Sequence, residues 1–151
     1  MKNITIYTDG ACSFNPGPGG WGVVLIYKDI KKELSGGEKE TTNNRMELTA
    51  VIKGLQALKE PCNVDIYSDS AYIVNAFKND WITAWQLNNW RTSSKQAVAN
   101  KDLWQILLHL LSVHKVVWHK VKGHADNDFN NRCDELARME TEKILSEKID
   151  N

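Results

Sequence analysis

The hydrophobic period of this chain changes near residue 43, and that change limits the architectures open to it. Before it, Ile4-Thr5-Ile6-Tyr7-Thr8-Asp9 alternates in the two-residue rhythm of a half-buried strand. Trp21–Tyr27 repeats the pattern, and Ile30–Glu38 gives a third, weaker run. The cluster Asn15-Pro16-Gly17-Pro18-Gly19-Gly20 reads as the turn between the first two. The Tyr27-Lys28-Asp29 link suits a hairpin. Three antiparallel strands are therefore expected. From Asn43 or Asn44 onward, Leu48, Val51, Ile52, Leu55 and Leu58 fall on one helical stripe that Pro61 ends. Asn63–Ser68 then reads as a strand and Ser70 to about Phe77 as a helix. The Trp81–Trp90 stretch fits no single period. Leu103, Trp104, Leu107, Leu108 and Leu111 mark another helix, Val116–Lys122 a last strand, and Asn127 the start of a final helix with Cys133, Leu136, Ala137 and Ile144 inward. A meander followed by strand–helix alternation predicts an α/β fold, a mixed sheet with helices on its faces.

The 151 residues suit one domain spanning 1–151, long enough to fold without disulfide or structural metal. Nothing approaches the roughly 18 apolar residues of a membrane span. The start Met1-Lys2-Asn3-Ile4 has no apolar signal region, so a cytoplasmic protein with no membrane partner is expected. Nineteen basic and nineteen acidic residues cancel, so any grip on nucleic acid must come from local patches. Cys12, Cys62 and Cys133 lack metal-ligand spacing and read as reduced thiols.

Four acids each carry two readings. Asp9 precedes Gly10, a common turn pair, yet the strand runs on through Ala11 and Cys12. An acid on a central strand is costly unless something compensates it. Glu47 can close a capping box from Asn44, or lean toward the sheet from the edge of the apolar stripe. Asp69, between Ser68 and Ser70, can cap the next helix, or stand where strand ends build sites. Asp134 can pair with Arg138 one turn on, or face the sheet beside the inward Cys133. The first three have no basic neighbour in sequence. Gathered together, such carboxylates repel one another unless cations bind. An all-oxygen set suits Mg2+ or Mn2+. Four acids can hold two such ions roughly 3.5–4 Å apart, the arrangement that hydrolyses phosphodiesters.

Six blocks occur in order: Tyr7-Thr8-Asp9-Gly10-Ala11-Cys12, Asn15–Gly22, Thr41–Leu48, Ser68-Asp69-Ser70-Ala71-Tyr72, Trp118–His124 and Asn131–Ala137. Together they resemble the bacterial type 1 ribonuclease H family over nearly the whole chain. The resemblance implies a five-stranded mixed sheet, three strands antiparallel and then two parallel, with helices on both faces. It implies endonucleolytic hydrolysis of the RNA strand of an RNA/DNA hybrid, leaving 5′-phosphate and 3′-hydroxyl ends, in primer and hybrid removal during replication and repair. Asp9, Glu47, Asp69 and Asp134 become the metal-holding catalytic acids, with two Mg2+ ions, Mn2+ as substitute and no small-molecule cofactor. His124 matches a loop histidine thought to assist proton transfer or product release, a role that suits an imidazole. Asn15, Thr42, Asn43 and Asn44 match groove and phosphate contacts, and Cys12 and Ala71 backbone contacts with the RNA. Trp81 belongs to a protrusion on the DNA strand, which Trp85, Trp90 and Trp104 are expected to pack together. A monomer is expected.

The chain departs from that pattern in places. Family members commonly place a Lys/Arg pair where Gln86-Leu87-Asn88-Asn89 stands. Between Asn79 and Lys101 the charges are Asp80, Arg91, Lys95 and Lys101, a net of +2. Normal chemistry with a raised KM and a shallow salt dependence is expected. Ala71 stands where Gln is common, and Asp126 where a loop Gly is common. The competing readings are another nuclease of similar architecture, which the Thr-Asn-Asn-Arg-Met-Glu block opposes, and a silent hybrid-binding module, which four retained acids oppose.

Overall fold

The computed structural model describes residues 1–121 and 127–150. The elements run β1 (Lys2–Cys12), β2 (Gly17–Tyr27), β3 (Ile30–Thr41), α1 (Asn43–Gln56), β4 (Cys62–Ser68), α2 (Ala71–Lys78), α3 (Trp81–Leu87), α4 (Lys101–Val113), β5 (Lys115–Lys120) and α5 (Asp128–Asp150). The sheet order is β3-β2-β1-β4-β5. The meander β1–β2–β3 is antiparallel, while β4 joins β1, and β5 joins β4, in parallel. β1 is therefore the central strand, because β4 pairs along the edge that the meander leaves open. The edge strand β3 carries Lys31, Lys32, Glu33, Lys39 and Glu40, charges that discourage pairing with another chain. Among the described residues, no helix is long and apolar enough to cross a membrane.

Strand alternation divides the helices between the two faces. Ile6 and Val23 point toward α1, where Gly54 leaves them room. Their neighbours Tyr7 and Gly22 face α5: the Cys133 thiol donates to the Tyr7 carbonyl, and the Cys133 carbonyl lies over Gly22. α1 is buried almost all round, from Met46 to Ile52 with Gly54 and Leu55, because the sheet lies on one side and α4 on the other. A narrow apolar stripe would not serve a helix in that position. The core holds Ile4, Ile6, Val23, Leu48, Val51, Leu55, Val64, Ile66, Ile73, Trp104 and Leu107.

Several boundaries differ from the sequence reading. β2 begins at Gly17, so Gly17–Gly20 are strand and the turn is confined to the residues between β1 and β2. At position 20 glycine is needed because α5 presses on the sheet: a Cβ at Gly20 would lie 2.3 Å from the Ala137 carbonyl oxygen. Leu58 lies beyond α1, which ends at Gln56. The Trp81–Trp90 stretch contains the short helix α3. The three cysteines are free.

Trp104 organises the protrusion. Fully buried, it meets Tyr72, Phe77 and Trp85 edge-on with centroids 5.5–5.8 Å apart, and its indole N–H donates to the Tyr72 hydroxyl at 2.9 Å. Trp85 also meets Trp90 at 6.1 Å, so these three tryptophans pack the protrusion as expected. His114 is structural, its Nδ1 accepting from the Cys62 N–H, and His119 pairs with Asp65 at 2.8 Å.

Candidate active site

Three carboxylates meet where β1, β4 and α1 converge. Asp9 is on the central strand, Asp69 follows the last residue of β4, and Glu47 lies in the second turn of α1. Each offers an oxygen within 4.8 Å of the others. Asp134, from α5, lines the same cleft of about 430 Å³, together with Gly10, Asn43, Asn44, Ser70, Ala71 and Tyr72.

Gly10 permits this approach. A Cβ there would stand 2.5 Å from the Glu47 nitrogen and from the Met46 carbonyl carbon. Its absence lets the start of α1 close onto β1. The Gly10 N–H then donates to Asp9 Oδ1 at 2.9 Å and to Glu47 Oε1 at 3.1 Å. One backbone donor thus orients two acids. The Asp9-Gly10 pair lies within the strand and not at a turn.

The capping alternatives resolve on geometry. Thr42 caps α1, its hydroxyl accepting from the Arg45 N–H at 3.2 Å. Asn44 lies inside the helix and not at its cap, and Glu47 accepts from the Gly10 N–H instead, so the capping-box reading is corrected. Ser70 caps α2, accepting from the Ile73 N–H, which leaves the Asp69 carboxylate to the cleft. For Asp134 both readings hold: Arg138 Nε lies 3.0 Å from Oδ2, and the residue still lines the cleft.

Burial sets the electrostatics. Asp9 is 4% exposed and Glu47 5%. Desolvation, then the nearby Asp69 charge, pushes the Asp9 carboxyl up to about 7 against the hydrogen bonds that favour its anion. Burial, then the Asp9 charge, holds Glu47 well above the usual carboxylate range. Glu47 Oε2 is buried without a hydrogen-bond partner. An orphaned carboxylate oxygen beside two other acids is what a hard cation satisfies, so the donor set fits a divalent metal ion.

The remaining predicted positions spread around this centre. Asn43, Asn44 and Ala71 line the cleft. Asn15 is tied to its rim, its Oδ1 accepting from the Asn43 N–H at 2.9 Å. Thr42 serves as the cap. Cys12 sits outside the acidic cleft; its thiol reaches the Thr41 carbonyl, and it lines a neighbouring groove with Arg138 and Thr141. Trp81 lies on α3, 36% exposed, with Trp85 6.3 Å away. His124 lies outside the described residues. Sequence reasoning missed Gly10, Ser70 and Tyr72 as cleft residues. The continuation of β1 through Ala11-Cys12 signalled Gly10; nothing in the hydrophobic pattern separated Tyr72 from a core aromatic.

Comparison with known proteins supplies an independent line. The RNase H family profile matches residues 1–142. Ribonuclease H of Chlorobium limicola is 64% identical over 138 residues, covering 91% of this chain and 94% of its own. Ribonuclease H of Moorella thermoacetica is 61% identical over 149 residues, covering 99% and 98%. Among solved structures, LC9-RNase H1 superposes with a TM-score of 0.85 at 29% identity, covering 95% of this chain and 74% of its own. LC11-RNase H1, solved in complex with an RNA/DNA hybrid, gives 0.72 at 27% identity, covering 94% and 99%.

Proposed function

The chain belongs to the RNase H family, and from that premise we propose that it is a metal-dependent endonuclease that hydrolyses the RNA strand of RNA/DNA hybrids, leaving 5′-phosphate and 3′-hydroxyl ends. The observation that carries the reading is the convergence of Asp9, Glu47 and Asp69 within 4.8 Å, with Asp134 lining the same cleft. These four acids are assigned the binding of two Mg2+ ions with substrate, Mn2+ substituting, with no small-molecule cofactor. When bound, such ions supply activation of water for in-line attack and stabilisation of the leaving oxygen.

The chain's own residues do the positioning. The Gly10 N–H holds Asp9 and Glu47 facing the cleft. Arg138 holds the Asp134 carboxylate at 3.0 Å. Asn43 and Asn44, at the start of α1, present short amides at the rim, where they suit 2′-hydroxyl and minor-groove contacts with the RNA. The Asn15–Asn43 bond fixes the β1–β2 turn to that rim, and Thr42, by capping α1, fixes the backbone of both asparagines. Cys12 and Ala71 contribute backbone contacts to the RNA strand. Trp81, partly exposed on the protrusion, faces the DNA strand. His124 is assigned proton transfer or product release. Residues 1–151 act as one catalytic domain, a cytoplasmic monomer that removes primers and hybrids in replication and repair.

A gel assay tests the reading. The RNA is labelled at its 5′ end in an RNA/DNA hybrid and in matched RNA/RNA and DNA/DNA duplexes, each with Mg2+ or EDTA. Internal cuts in the hybrid RNA alone, only with metal, are expected. Absence of cutting with both Mg2+ and Mn2+ would replace an enzyme with a hybrid-binding module.

A further inference from the structure

Phe14 stands in the β1–β2 turn with two features that oppose each other's retention. Its ring is 82% exposed, the largest exposure of any big hydrophobic side chain among the described residues. Its backbone is left-handed, with φ 58°. Exposed apolar surface is unfavourable in water, and a bulky L-residue is strained at positive φ. Glycine would incur neither cost.

The turn cannot relax to relieve this. The Ser13 N–H donates to the Pro18 carbonyl at 2.8 Å. The Cys12 thiol reaches the Thr41 carbonyl at 3.4 Å. The Gly17 backbone is so close to Ser13 that a Cβ would come 2.2 Å from the Ser13 oxygen. Next to Phe14, Asn15 binds the Asn43 N–H, and Asn43 lines the acidic cleft. An exposed aromatic ring is thus held on a stiff turn anchored to the rim of the site. Strain of this kind persists where the surrounding structure over-determines it, and such places cluster at ligand contacts.

We propose that Phe14 is a substrate-binding residue, its ring packing on the ribose faces that line the minor groove of the hybrid beside the cleft. This rests on the hybrid-cleaving reading above. Bases inside a duplex are already stacked and closed to a side chain from outside. The minor groove of an A-like helix is wide and shallow and displays its sugars, which offer a flat apolar ring a sequence-neutral contact. Asn15 and Asn43 beside it then supply the polar partners that Phe14 lacks.

The test compares the wild type with Phe14→Gly, Phe14→Tyr and Phe14→Trp. Three quantities are read: thermal stability, KM and kcat on an RNA/DNA hybrid with Mg2+, and fluorescence anisotropy of a labelled hybrid in EDTA, which needs no cleavage. Phe14→Gly is expected to unfold at the same or higher temperature, because the strain at φ 58° is gone. Its KM and its Kd for the hybrid are expected to rise about five- to tenfold, the range for losing roughly half of an aromatic ring's burial. Its kcat should stay within about twofold, and the Tyr and Trp variants should bind as the wild type does. A Phe14→Gly protein that is equally stable, with KM and Kd unchanged, would overturn the proposal and turn Phe14 toward a protein partner. A wild type that binds hybrid in a Phe14-dependent way without cutting it would uphold this contact while ending the endonuclease reading.

Discussion

Asp9 carries the strongest single-residue consequence. It is buried beside two acids, and its carboxyl is pushed up to about 7 from an ordinary value near 3.8. Between those two values the folded chain holds a proton that the unfolded chain has released. Stability without metal therefore falls as pH rises through that window, and flattens above about 7. Asp9→Asn removes the titration. Thermal unfolding in EDTA from pH 4.5 to 8 should show the wild type losing ground to Asp9→Asn as pH rises. Mg2+ should raise the wild-type midpoint more at pH 8 than at pH 5, because a cation binds the deprotonated acids. The same variant should lose cleavage by at least about a hundredfold while still binding hybrid, as removal of one ligand of a metal-assisted hydrolysis does. Unchanged cleavage by Asp9→Asn would remove Asp9 from the catalytic set. All four acids were legible in the sequence, because each sits where a strand end or a helix face turns inward. What each does locally was less legible. Glu47 sat three residues past a plausible cap, and only the approach of α1 over Gly10 makes Thr42 the cap and sends Glu47 to the Gly10 N–H.

At the scale of elements, the period-2 and period-3.6 patterns gave every strand and the long helices, because those patterns record which face is buried. They failed at Gly17–Gly20, a run that reads as a turn on local propensity. There the deciding pressure is tertiary: Gly17 is crowded by Ser13, Gly19 by Thr41 and Ala11, and Gly20 by α5. At Gly22 a Cβ would stand 2.4 Å from the Cys133 carbonyl oxygen. Gly22 is also the cross-strand partner of Asp9, and Cys133 precedes Asp134. The glycine is thus the spacer between the strand that carries one acid and the helix that carries another. Gly22→Ala should force α5 outward, cost about 1–3 kcal/mol as an overpacked core does, and shift Asp134 away from Asp9. The expected kinetic signature is kcat lowered by more than about tenfold, the scale on which small displacements of reacting groups tell, with KM for the hybrid near the wild-type value. Urea unfolding and steady-state kinetics on the same preparation check both halves. A destabilised variant with full kcat would show that Asp134 tolerates the displacement.

For the molecule as a whole, charge rather than packing distinguishes this chain. Its formal net charge is zero, with nineteen basic and nineteen acidic residues, so no global field draws a polyanion toward it. The cleft is itself acidic, which leaves attraction to the periphery. The protrusion, anchored on the buried Trp104, is where a grip on the DNA strand would be expected, yet α3 carries no basic residue in its last turn. Gln86 and Leu87 at its end, and Asn88 and Asn89 just beyond it, carry no charge, and Leu87 is 79% exposed. Association should therefore depend on few phosphate contacts, and the salt dependence of KM should be shallow. Each lysine that reaches a phosphate steepens the slope of log affinity against log salt by about 0.7–0.9. Replacing Gln86 and Asn89 together by lysine should steepen the slope by up to about 1.8 if both reach phosphate. It should also lower KM several-fold in low salt and leave kcat unchanged, because the acids and their Gly10 anchor are untouched. KM measured from about 50 to 200 mM salt, the span over which such contacts are felt, reads the result directly. An unchanged slope in the double-lysine protein would mean that the protrusion does not lie along the substrate backbone, and Trp81 would then have to be reassigned from DNA contact to the packing role its three neighbouring tryptophans already serve.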